Sequence, residues 1–206
     1  MLRETTNKPF AVKTAKRKRS AMYQSTHNLR STVRRPAIGL LAMLSLTSAA
    51  VVRADDPSRE PDLSACPNLQ VAEGNEVAFH VYALGVQIYQ WNGTAWAFVA
   101  PSARLFADAG HHGQVGTHYA GPTWESNSGS KVVGVRQLGC TPDPSSIPWL
   151  RLGAVSSQGP GIFDGITFVQ RVNTVGGTAP TAAGSASGEI LEVPYTAEYY
   201  FYRAHQ

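Results

Sequence analysis

His118, Trp124, Glu125 and Lys131 fall together in "GTHYAGPTWESNSGSK", from Gly116 to Lys131. A histidine base and a carboxylic acid on adjoining strands could carry hydrolytic chemistry, and Gly121-Pro122 would fold one strand back on the other. The same residues have a plainer reading: His118 hydrogen-bonded to a neighbouring strand or loop, and Glu125 paired across strands with Lys131. Both stand at this point, with His118 and Glu125 as the candidate catalytic pair. His111 and His112 add ligand types suited to zinc or copper. Adjacent histidines on an extended chain point to opposite faces, however, and "AGHHGQ" reads as a turn. No metal site is assigned.

Other chemistries lack their patterns. Asp108, Glu125, Asp143 and Asp164 supply carboxyls, but no motif pairs two of them as glycoside hydrolysis requires. "SGSK" matches S-x-x-K only formally, because its glycines and β-branched neighbours predict a hairpin rather than a helix. "GSASG" has Ala186 where a nucleophile elbow needs its serine. A nicotinamide dehydrogenase would need a glycine-rich turn between a strand and a helix, and no G-x-G-x-x-G is present. No cofactor is expected.

Binding is the stronger signal. Trp124, Trp149 and Tyr195 could stack on sugar rings or aromatic ligands, or fill a core. Lys131 could add a charge. Arg171 and Asn173 lie at strand spacing before a glycine turn, which predicts a shared face and a role as braces or ligand contacts.

These residues must be positioned by strands. "EVAFHVYAL" alternates, with Val77, Phe79 and Val81 on one face and Ala78, His80 and Tyr82 on the other. "VQIYQW" and "AWAFVA" flank Asn92-Gly93, a strong hairpin signal. "ARLFAD", "VGTHYA", "TWES", "KVVGVRQL", "PWLRLGAVS", "GITFVQRV" and "YTAEYYFYRA" follow between turn residues. No window beyond Val52 sustains a helical apolar period. The pattern predicts one all-β domain over residues 71–206, a sandwich or barrel-like body of short antiparallel strands. "TVGGTAPTAAGSASG" reads as a long surface loop.

Charge divides the chain in two. Of 18 Lys+Arg and 14 Asp+Glu, 11 bases and one acid precede Asp55, so that segment carries about +10 and the remainder about −6. Nucleic acid needs clustered cations and is not an expected partner of the globular part. Arg30, Arg34 and Arg35 precede the apolar run "AIGLLAMLSLTSAAVV", and Val52-Arg53-Ala54 supplies a cleavage site. Residues 1–54 therefore read as a basic region and signal peptide, with Met22 an alternative start to Met1. The run is too short and too rich in small residues for a spanning helix, which needs roughly 20 apolar residues. No transmembrane anchor is expected after cleavage, and the protein is placed as secreted or periplasmic. Residues 55–70 read as a linker or arm. Cys66 and Cys140 are expected to pair in that oxidising compartment.

Several phrases in order, "GVQIYQW", "APSARLFADAG", "VGTHYAGPTWE", "GSKVVG", "IPWLRL", "FVQRVNTVGGTAP" and "VPYTAEYYFY", resemble the family called domain of unknown function 3455. The resemblance covers about Val77 to Tyr202 and implies a secreted β-rich domain with no established activity to carry over. Many members place a cysteine directly after "IYQ" and another in the loop before "VPYTA". Here Trp91 holds the first position and residues 182–188 contain none, which implies the loss of a bridge as a unit.

Residues and resemblance together give an exported all-β binding or envelope-interaction module for a small molecule or glycan. The alternative is a secreted hydrolase of carbohydrate or ester working through His118 and Glu125.

Overall fold

The protein was studied as a computed structural model, which describes residues 59–206. The basic region, the apolar run and the cleavage site lie outside the described residues. Eight strands follow one another: β1 (Asn75–Trp91), β2 (Trp96–Phe106), β3 (Gln114–Tyr119), β4 (Thr123–Ser126), β5 (Lys131–Cys140), β6 (Trp149–Gln158), β7 (Ile166–Gly176) and β8 (Ile190–Ala204). Each pairs antiparallel with the next, and β8 pairs back onto β1, closing a barrel. Closure leaves no free sheet edge and separates every strand into an inward and an outward face. Among the described residues no helix is long and apolar enough to cross a membrane.

The turn signals act where expected. Asn92 accepts from the amides of Thr94 and Ala95, both at 2.9 Å, and Gly93 has φ of 96°. The strands, in contrast, are not all short: β1 runs 17 residues and β8 15. Gly85 and Pro101, which punctuate the sequence, lie within continuous strands. Pro101 is tolerated because β3 pairs β2 only from Ala103 to Phe106, so at Pro101 β2 has a neighbour on β1 alone.

The expected shared face of Val77, Phe79 and Val81 is also corrected. A register shift against β8 falls between Val77 and Phe79. A bulge of this kind inserts a residue and reverses the side-chain parity. Phe79 and Val81 pack in the barrel interior, while Val77 lies outside with Val172, Tyr200 and Tyr202.

That outer cluster is covered by the segment preceding β1. Leu63 and Val71 pack on it, Leu69 is fully buried, and the Leu69 carbonyl accepts from Gln170 Nε2 at 2.8 Å. Arg151 Nη1 also donates to the Gln70 carbonyl. Cys66 is bonded to Cys140 at the end of β5, 74 residues away.

The barrel ends differ. At the end where β1 begins, Phe163 from the β6–β7 connection is fully buried, its ring 5.5 Å from Phe79 and 4.9 Å from Phe201. Its amide donates to Ser130 Oγ, and its carbonyl accepts from Ser157 Oγ. This end is plugged by aromatic side chains.

Replacing both cysteines by serine removes the arm's covalent tie and a 74-residue closure, so urea unfolding should show a loss of about 4 kcal/mol. A loss below about 1 kcal/mol would mean that the arm is held by its buried side chains alone.

Candidate functional site

The opposite end holds a cavity of about 520 Å³. Gln87 and Tyr89 of β1, His118 of β3, Trp124 of β4, Leu150 and Leu152 of β6, Arg171 of β7 and Tyr199 of β8 contribute to its wall. Phe98 and Val99, both more than half exposed, and Arg136 complete its rim. The lining is mostly apolar, with a few polar groups among it, the usual make-up of a small-molecule site.

Strand pairing explains which candidates converge. His118 is the partner of Trp124 across the β3–β4 hairpin, and Thr117 is the partner of Glu125. Paired residues share a face and neighbours along a strand do not, so His118 and Trp124 point inward while Glu125 points outward. The His118 ring stacks on Trp124 at 4.5 Å and 12°, with Tyr199 5.1 Å from His118. Gly134 makes room for the indole, since a Cβ there would lie 3.2 Å from Cζ3 of Trp124 and 3.3 Å from Cβ of Leu152.

His118 donates from Nδ1 to the Thr123 carbonyl at 2.8 Å. A carbonyl only accepts, so the neutral ring carries its proton on Nδ1 and offers Nε2 as an acceptor. Burial pushes the imidazole down to about 3; the Thr123 bond opposes this and the Arg171 charge adds to it. The histidine is therefore neutral across the physiological range.

Arg171 enters from β7, with Nε and Nη2 both donating to the Pro148 carbonyl at 3.1 and 2.8 Å. Two further groups stand out because they lack partners. Trp124 is 1% exposed and Gln87 2%, and neither indole Nε1 nor amide Nε2 makes a hydrogen bond. Gln87 lies beside the Tyr195 hydroxyl, which its amide side chain influences directly. Buried donors without acceptors are uncommon and costly.

The remaining candidates sit elsewhere. Glu125 accepts from the Tyr119 hydroxyl at 2.7 Å and pairs with Lys131 at 3.2 Å on the outer surface. Tyr119 first, then Lys131, hold its carboxyl below the ordinary range. The His118–Glu125 pair is thus not assembled, because one-residue offsets on a strand send side chains to opposite faces. Asn173 does not share a face with Arg171. The β7–β8 register shifts between Val172 and Val175, Asn173 adopts φ of 50°, and its amide donates to outward Glu198 at 3.1 Å. Trp149 packs in the outer cluster beneath the arm. Tyr195 is buried in the interior, its hydroxyl 3.5 Å from that of Tyr199. His112 pairs with Asp108 at the β2–β3 turn, and no group of three metal-ligating side chains converges among the described residues.

Gln87, Tyr89 and Arg136 carry no sequence motif that marks them as site residues, whereas Tyr199 belongs to the aromatic run "YTAEYYFY". Gln87 has one visible signal, since it continues the inward series Phe79, Val81, Ala83, Gly85 as the first polar member.

Fold and cavity together define an up-and-down eight-stranded barrel, plugged at one end and hollow at the other. The chain belongs to the family described as protein of unknown function (DUF3455), whose model matches residues 72–203. No curated protein and no solved structure matches it.

Because the folded His118 value lies below the unfolded value of 6.5, its contribution is present above pH 6.5 and is lost as pH falls towards 3. Between pH 7 and 5, above the carboxylate range, stability should fall by about 2 kcal/mol. Chemical denaturation of His118→Gln should lack this slope. An equal slope in both proteins would mean that His118 titrates normally.

Proposed function

We propose that this domain is an exported binding module that holds one small, partly apolar molecule in the hollow end of the barrel. The observation that carries the reading is the cavity of about 520 Å³ itself, whose mostly apolar wall carries a few polar side chains, Gln87, His118 and Arg171 among them. Eight-stranded barrels have interiors wide enough for one small ligand. The mostly apolar wall favours a compact molecule over an extended glycan. The Cys66–Cys140 bridge supports an oxidising compartment, and the basic segment followed by an apolar run supports export.

Gln87→Leu tests the reading through two opposed effects. Removing a buried unpaired donor should raise the stability of the free protein by about 1–2 kcal/mol in urea unfolding. The same change should weaken, by about tenfold, any ligand found by thermal-shift screening of a small-molecule panel. A destabilised Gln87→Leu protein, or a ligand bound equally by both, would remove the basis of the proposal.

A further inference from the structure

The charges around the hollow end narrow the ligand class, an inference that rests on the cavity being a ligand site. Both charged residues in its lining, Arg136 and Arg171, are cationic, and no aspartate or glutamate joins them. This contrasts with the domain as a whole, where acids outnumber bases. Glu125 is held outside by Tyr119 and Lys131, and Glu198 by Asn173 and Tyr200.

Arg171 is half-buried and forms no salt bridge among the described residues. The groups on which its charge acts are His118, Tyr89, Tyr195 and Tyr199, none of which supplies a counter-ion. A guanidinium has five N–H donors, and the Pro148 carbonyl takes two of them. That clamp fixes the orientation of the plane without neutralising it; the neutral Tyr199 hydroxyl beside it is no counter-ion, so the full charge and further donors remain. A partly desolvated cation without a partner is costly, and a planar two-oxygen anion is the group a guanidinium matches best.

We infer that the ligand is a small monocarboxylate with an apolar body, its carboxylate on Arg171 and its body against Tyr89, Phe98 and Leu150. A single half-buried cation and a largely apolar wall suit one negative charge rather than a phosphate dianion. Neutral His118 offers Nε2 to a hydroxyl donor on the same molecule, should it carry one.

Titration calorimetry of the purified protein with octanoate and 4-phenylbutyrate, each beside its neutral amide, tests the assignment. Each acid should bind at least tenfold more tightly than its amide, with the gap shrinking as salt rises and falling below about threefold in Arg171→Gln. Acid and amide binding equally to the wild type would overturn the carboxylate inference while leaving the cavity as a binding site. No binding of any of the four probes, with no change in tryptophan emission, would overturn both. An acid preference unchanged in a folded Arg171→Gln protein would overturn the role given to Arg171. Should that variant not fold, the wild-type acid–amide gap and its salt dependence still separate a carboxylate site from a neutral one.

Discussion

The return of β8 onto β1 is the constraint on which the rest depends. Their register runs from Asn75 opposite Ala204 to Gln90 opposite Ile190, and it turns a meander into a container. Once the sheet is closed, each residue is committed to the interior or the exterior by its parity along the strand. Polar groups on the inner parity cannot turn to the outer face by a side-chain rotation. Gln87, His118, Trp124 and Arg171 are therefore held where an open sheet would have let them turn outward. The opposite side of the barrel is thinner. Strand β4 has only four residues, and Trp124 stands in it between His118 and Gly134. The stack on His118 and the notch at Gly134 fix the indole where backbone pairing is sparsest.

The sequence made the strand content, most turns, the β3–β4 hairpin and the cysteine pair legible, because these depend on local alternation, turn residues or a count of two. It also brought His118, Trp124 and Arg171 forward as chemically interesting. What it could not fix was parity across irregularities. The shift between Val77 and Phe79 exchanges inside for outside, and the shift after Val172 separates Asn173 from Arg171. A bulge costs one residue and leaves no compositional mark when the residue is an ordinary alanine or asparagine. Glu125 shows the opposite case. Regular alternation in "TWES" already places it away from Trp124, and the hairpin register that pairs His118 with Trp124 then puts it away from His118 as well.

The two ends of the barrel show how one architecture divides stability from function. At the plugged end Phe79, Phe163 and Phe201 close on one another and the hydroxyls of Ser126 and Ser130 bond each other at 2.8 Å. Polar and apolar groups there are mutually satisfied. At the hollow end a positive charge, two unpaired donors and a neutral imidazole share a largely apolar wall. Such an arrangement weakens the free protein, and a fold tolerates it where the rest of the body supplies the deficit.

The segments lying outside the barrel wall are fastened by different chemistry. The arm before β1 is tied covalently at Cys66, whereas the loop between β7 and β8 is tied by contact. Trp91 presses on Gly184 so closely that a Cβ there would lie 2.5 Å from its Cγ, and Trp96 Nε1 donates to the Ala182 carbonyl at 2.9 Å. A thiol reductant thus removes the covalent tie of the arm and leaves every fastening of the loop in place, so only one side of this domain answers to the redox state of its surroundings.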